Sequence, residues 1–299
     1  MDDQTKEKAN LNPSPRKAFS PEGAAGTGKG SETEDSFVKP PVLSLPKGGG
    51  AIQGIGEKFE VNAANGTASF SVPIALSPSR SGFGPQLSLS YNSGSGNGPF
   101  GLGWSLSVPS IARKTEKGLP RYRDSEDSDI FILAGAEDLV PDYQYDPGQE
   151  IWKRDSQTIP LSGISYTVQR YRPRVEGLFA RIERWTNQAT GDAYWQSVTK
   201  DNVTSVYGKD PSSRVFDPAD NRRVFKWLLS ESYDDKGNWI VYGYAPEDSD
   251  NIDASQANEA NRTPAGRSAN RYLQSILYGN QVSHLTQTDS AQAQWMFQV

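Results

Sequence analysis

Between Gly48 and Gly103 the chain carries almost half of its 28 glycines, yet this stretch is not a linker. Short strand-like runs separate the glycines. Ala68, Phe70 and Val72 alternate with Ser69 and Ser71, and Leu87, Leu89 and Tyr91 alternate with Ser88 and Ser90. Apolar residues at every second position are the signature of a strand with one face buried. Gly66 and the run Gly94-Ser95-Gly96-Asn97-Gly98 lie just outside those strands, where a turn needs positive φ. The pattern predicts a turn-dense, antiparallel all-β fold.

Composition sets limits around that core. The 299 residues are enough for one large or two medium domains. Only 35% are hydrophobic and the mean hydropathy is −0.67, which predicts a modest core with much loop, or one completed by other segments. A formal charge of −5 and a pI near 5.1 argue against nucleic-acid binding, which leaves a basic footprint. With no cysteine there is no disulfide frame, thiolate nucleophile or cysteine metal site. The amino terminus, MDDQTKEKANLNPSPRK, lacks the basic start and apolar core of a signal peptide, and no run is apolar enough for a membrane-spanning helix.

Residues 1–40 are rich in charge, Pro, Gly, Ser and Ala. Phe19 and Phe37 are nearly their only apolar anchors, so this composition predicts a disordered tail closed by a stiff Pro40-Pro41 hinge. From residue 41 to 299 the reading is one β domain. An aromatic-rich strand is expected over 100–106, with Leu102, Trp104 and Leu106 on one buried face and Trp104 as a core residue. A buried strand over 129–133 should end at Ala134-Gly135-Ala136. Residues 179–185 and 194–198 read as a hairpin about the turn 187–192, followed by an imperfect strand over 202–207. A clearer strand–turn–strand covers 225–233, 234–238 and 239–244. Residues 271–280 end in Gly279-Asn280, echoing Gly237-Asn238, and these loose copies are weak evidence for a repeat. Residues 247–269 are polar and expected to be an exposed excursion. Trp295 to Val299 read as the opening of a strand.

The fragments KGGGAIQGIGEKF, TASFSVPIALSPSRSGFGPQLSLSYNSGSGNGPFGLGWSLSVPSIARKTEKGLPRYRD and FILAGAEDLVP give this chain a specific resemblance. It resembles the amino-terminal region of the SpvB family, which groups bacterial virulence proteins with the B components of insecticidal toxin complexes. The resemblance runs from about Val42 to the end, more weakly beyond Tyr143, and Tyr233-Asp234 with Gly237-Asn238 is similar to the YD units of RHS shell proteins. It implies a β-rich shell segment that encloses a toxic polypeptide with a C component and docks on a pore-forming A component. It also implies a chain continuing past Val299 into propeller and RHS-type regions. The isolated chain is therefore expected to be marginally stable and prone to associate through its last strand.

Several motifs invite a chemical reading. Gly23 to Lys29 nearly spells a phosphate-binding loop, but Gly30 replaces the Ser or Thr that reaches magnesium, and no strand–helix frame surrounds it. Gly96 to Gly101 fits the dinucleotide pattern GxGxxG, but Pro99 and a following strand exclude the required helix, which favours a hairpin turn. Asp124, Glu126, Asp127 and Asp129 form the densest acidic cluster. Without the central Gly and terminal Glu of a calcium loop, a solvated turn is expected. His284 is the sole histidine, so no multi-histidine zinc site exists, and it reads as a surface or edge-strand residue beside Ser283. The seven tryptophans and 13 tyrosines could line a sugar-binding face, but their alternate spacing favours packing. In the resembling family, ADP-ribosyltransferase activity belongs to a separate carboxy-terminal domain. Glu32-Thr33-Glu34 superficially fits its Glu-x-Glu pattern without the arginine and strands that should accompany it.

The sequence therefore assigns no residue to catalysis, a cofactor or a metal. The expected function is a non-enzymatic structural and binding module of a bacterial toxin complex, made in the cytoplasm and delivered outside without a recognisable signal peptide. The alternative is a secreted carbohydrate-active β domain, which would need two carboxylates placed on facing strands, or a stand-alone carbohydrate-binding sandwich.

Overall fold

A computed structural model of the chain describes residues 58–62, 66–135, 137–175, 177 and 179–299, with side chains from Gly66 onward. The expected tail 1–40, its Pro40-Pro41 hinge, the Gly23-to-Lys29 motif and Glu32-Thr33-Glu34 lie outside the described residues.

The glycine-rich stretch forms β1 (Lys58–Asn62), β2 (Thr67–Ile74), β3 (Leu87–Asn92), β4 (Asn97–Gly98), β5 (Gly101–Leu102) and β6 (Trp104–Leu106). Strands β1, β2, β3 and β6 make a four-stranded antiparallel sheet in that order. The alternation seen in sequence sets its register: Phe70 lies opposite Tyr91, and Tyr91 opposite Trp104. The Trp104 ring packs against Tyr91 at 5.3 Å and edge-on to Phe70 at 6.2 Å.

The single strand expected over 100–106 is instead two. Gly101 and Gly103 take φ of +100° and +79°, folding β5 back on β4 before β6 begins. Leu102 is consequently 70% exposed and does not share a buried face with Trp104, which is half-buried and not a core residue.

The next segment builds a closed structure. Its strands are β7 (Ser110–Arg113), β8 (Phe131–Leu133), β9 (Glu137–Pro141), β10 (Tyr143–Asp146), β11 (Ile151–Arg154), β12 (Ser156–Leu161), β13 (Ile164–Pro173), β14 (Arg181–Asn187), β15 (Ala193–Val198), β16 (Thr204–Tyr207), β17 (Arg214–Asp217) and β18 (Asp220–Tyr233). Pairing runs β16-β15-β14-β13-β9-β8-β7-β18, and β16 pairs β18 as well, so the eight strands close on themselves. Every step of this ring is antiparallel. An eight-stranded barrel has an interior just wide enough for side chains to fill. Here Ile111, Phe131, Leu139, Tyr171, Ile182, Trp195, Val224, Trp227 and Leu229 fill it.

Rings dominate this core. Phe131 meets Trp195 at 4.9 Å and Trp227 at 5.7 Å, while Tyr171 meets Trp195 at 4.8 Å. Each such pair adds roughly 0.5–1.5 kcal/mol beyond the area it buries. The Trp227 indole N–H also donates to the Ala193 carbonyl at 2.8 Å. Hairpin β10–β11 forms a separate two-stranded sheet, β12 pairs the outer part of β13, and β17 pairs β18.

Beyond the barrel, β19 (Trp239–Pro246), β20 (Arg271–Asn280) and β21 (Trp295–Gln298) extend the sheet from β18. Leu87, Ile240, Ile276 and Tyr278 form a second core there, joined by Leu76, Phe83, Leu106, Tyr242 and Phe297. This core ties the amino-terminal sheet to the β19–β21 extension. Expectation and structure agree closely over β18, β19 and β20. The two Gly-Asn endings also meet: the Asn280 side chain accepts from Trp239 N–H and donates to the Gly237 carbonyl, both at 2.8 Å.

The excursion between β19 and β20 is mostly exposed, as expected, but it is anchored. It contains a four-residue helix, α1 (Pro264–Arg267), and Arg267 donates to Glu259 at 3.0 Å with both residues 8% exposed.

Candidate functional site

The acidic cluster singled out in the sequence is a solvated turn only at Glu126 and Asp127, while Asp124 and Asp129 turn inward. The loop between β7 and β8 carries Asp124 and Asp129 to Arg113, whose side chain is fully buried. Arg113 Nη1 and Nη2 donate to the two Asp124 carboxylate oxygens at 2.5 and 2.9 Å, and Nη1 also donates to Asp129 Oδ2 at 2.7 Å. Its Nε donates to the Val224 carbonyl at 2.8 Å. Arg184 of β14 adds a second guanidinium, 2.5 Å from Asp124 Oδ2.

Two arginines and two aspartates thus form a charge-balanced cluster. Arg113 also lies 4.7 Å from the Tyr122 ring and 5.1 Å from that of Phe131. Such contacts suit a planar, weakly hydrated guanidinium. Burial pushes the Asp124 carboxyl up, but the hydrogen bond from Arg113 and the two positive charges outweigh it and hold the group below its ordinary value. The backbone N–H groups of Arg121 and Tyr122 donate to Asp129, each at 2.8 Å, which fixes the loop.

The remaining acids of the cluster diverge. Asp127 pairs with Arg154, and Glu126 meets Arg123 only at 3.5 Å in solvent. Across the described residues, no group of three or more potential metal-ligating side chains gathers. A carboxylate clamped by two arginines is poorly suited to general acid catalysis, which needs a raised pKa. The arrangement is a structural clamp on the loop.

Arg113 and Arg184 were not singled out from the sequence, although a signal was present. Ile111 and Arg113 share one face of β7, as Ile182 and Arg184 share one face of β14, so both charges fall in phase with the barrel core.

That clamp borders a cavity of about 640 Å³ at one mouth of the barrel. Loop residues 121–125, Gln169, Arg184 and Thr186, the β14–β15 turn at Asp192, and residues 220–224 at the start of β18 line it.

The other sequence candidates lie elsewhere. Gly96 to Gly101 forms the β4–β5 turn, with Gly98 opposite Gly101. His284 follows β20 in a loop, stacked on Tyr233 at 4.1 Å and edge-on to Trp239 at 4.6 Å. Burial lowers its pKa. Ser283 Oγ accepts from the Leu285 N–H at 3.3 Å. Trp195, Trp227 and Trp239 are buried as packing predicts, whereas Trp152 on β11 is 68% exposed.

With this geometry in hand, comparison with known proteins gives consistent matches. Residues 62–299 match the family described as SpvB, Salmonella virulence plasmid 65kDa B protein. The chain is 36% identical over 269 residues to mono(ADP-ribosyl)transferase SpvB of Salmonella choleraesuis, covering 88% of this chain and 42% of that protein. The corresponding protein of Salmonella typhimurium matches to the same extent. The chain therefore spans under half the length of these curated relatives. Among solved structures, TcdB2-TccC3 matches with a TM-score of 0.69 and 34% identity, over 86% of this chain and 12% of that one. The N-terminal domain of the effector SpvB from Salmonella typhimurium matches with a TM-score of 0.63 and 36% identity, over 76% of this chain and 70% of that one. A Photorhabdus luminescens Tc holotoxin pore matches with a TM-score of 0.69 and 33% identity, over 89% of this chain and 12% of that one.

Proposed function

This chain belongs to the SpvB family, and we propose that it serves as a non-catalytic structural and binding module of a bacterial toxin complex. In this reading residues 41–299 form one β segment of a B-component-like shell that encloses a toxic polypeptide. The observation that carries it is the agreement of nearly the whole described fold with one segment of the TcdB2-TccC3 and Tc holotoxin chains. The clamp around Arg113 supports it, since its acids are spent on holding a loop over the barrel. Partners in this reading are a C component that completes the shell and a pore-forming A component that receives it. Delivery is to the outside of the producing cell. The ADP-ribosyltransferase named for the curated relatives is an activity of those longer proteins.

Replacing the matching segment of TcdB2 with this chain tests the proposal. The hybrid should co-elute with TccC3 on size-exclusion chromatography as the parent does. A hybrid that folds, by circular dichroism, yet elutes apart from TccC3 would contradict it.

A further inference from the structure

The cavity at the barrel mouth is rich in guanidinium groups although the chain as a whole is acidic. Arg121 and Arg123 reach it from the loop after β7, while Arg222 and Arg223 reach it from the start of β18, about a hundred residues later. All four are exposed at the rim, and Arg184, 6% exposed, lines the cavity within the barrel.

Only three carboxylates share the lining, and each is already engaged. Asp124 is held by Arg113 and Arg184, and Asp192 faces Arg214 at 3.3 Å. Asp220 accepts from Arg222 Nε at 3.0 Å and Nη2 at 3.2 Å. Arg223 pairs with Asp217, outside the lining, at 3.3 Å and with Asp220 at 3.6 Å, which leaves the remaining N–H groups of both arginines toward the cavity mouth. The Arg121 side chain makes no ion pair among the described residues, and Arg123 meets only Glu126, at 3.5 Å in solvent. The cavity therefore presents a surplus of planar N–H donors.

We propose that this barrel mouth binds a small oxyanion ligand, one bearing a phosphate group or clustered carboxylates. Guanidinium forks match both groups with paired, charge-assisted hydrogen bonds. The volume suits a small molecule. The mostly polar lining, with Gln169, Thr186 and Asn221 between the charges, disfavours an apolar one. Folding, and not sequence clustering, brings the two arginine pairs together.

Calorimetric titration of the 299-residue chain at low salt, with inorganic phosphate and separately with citrate, tests this. At least one anion should bind saturably at a single site. The double substitution Arg123→Ala with Arg222→Ala should weaken binding at least tenfold without changing the melting temperature. Arg121→Gln, which removes no ion pair, should also weaken it, whereas Arg172→Ala on β13, outside the cavity, should not. Preference for phosphate or for citrate identifies which oxyanion the site takes. Absence of saturable binding by both anions, or binding that survives both the double variant and Arg121→Gln, overturns the proposal.

Discussion

Arg113 is a charged residue in a barrel core, and its tolerance rests on complete pairing. Its side chain is fully buried, and two aspartates and a backbone carbonyl accept its hydrogen bonds. Removing one member of a buried charge network strands the others, at a cost of about 3–5 kcal/mol. Arg113→Met should lower the unfolding free energy by that amount in urea denaturation, and a loss within about 0.5 kcal/mol, the ordinary range for an inconsequential surface change, would show the network to be dispensable. Asp124 makes the same point through pH. Its folded pKa lies below the ordinary value of 3.8, so its stabilisation is present above that value and is lost as pH falls toward the folded one. The melting-temperature gap between the parent and Asp124→Asn should therefore be constant near neutrality and shrink in acid. A gap that widens below pH 4 would reverse the sign of the argument. The acids were visible in the sequence, but their partners were not. Arg184 lies 60 residues beyond Asp124, and only the closed sheet brings the two together.

Strands with a long apolar run were legible, whereas β7, β9 and β13, whose buried faces are short or interrupted by polar residues, and strands exposed on both faces were not. The strands β18, β19 and β20 carry enough apolar residues to show their extent. By contrast, YQYD, IWKR and SQTIPL in β10 to β12 are exposed along most of their length and offer no period of two. The misread strand at 100–106 failed for another reason. Its apolar spacing is correct for one strand, but Gly103 turns the chain within it. A Cβ at Gly103 would stand 2.6 Å from the Tyr91 ring and 2.9 Å from the Asn92 carbonyl oxygen. At Gly101, with φ of +100°, it would meet nothing within 4 Å. Gly103→Ala should therefore combine backbone strain, worth roughly 1–3 kcal/mol, with a steric clash, and should destabilise more than Gly101→Ala. Equal denaturation midpoints for the two variants would mean that Gly103 serves the turn alone.

Across the whole molecule, the fold class was legible and the closure was not. Alternation and glycine placement indicate antiparallel strands. Nothing local indicates that β9 pairs β13 across an inserted hairpin, or that β18 joins β7 on one side and β16 on the other. The modest apolar content is offset by large rings: Trp195, Trp227 and Trp239 are each at most 1% exposed. A rigid, aromatic-filled barrel flanked by sheets is a sound scaffold for a shell wall, and that role is the central claim. It is tested most directly by protease digestion of the hypervariable C-terminal region of TcdB2-TccC3, the part a shell would enclose in the proposed reading, in the hybrid TcdB2 that bears this chain. If the chain completes the wall, that region should resist digestion as long as it does in the parent complex. Digestion at the rate of the isolated region, in a hybrid that still assembles, would contradict the account.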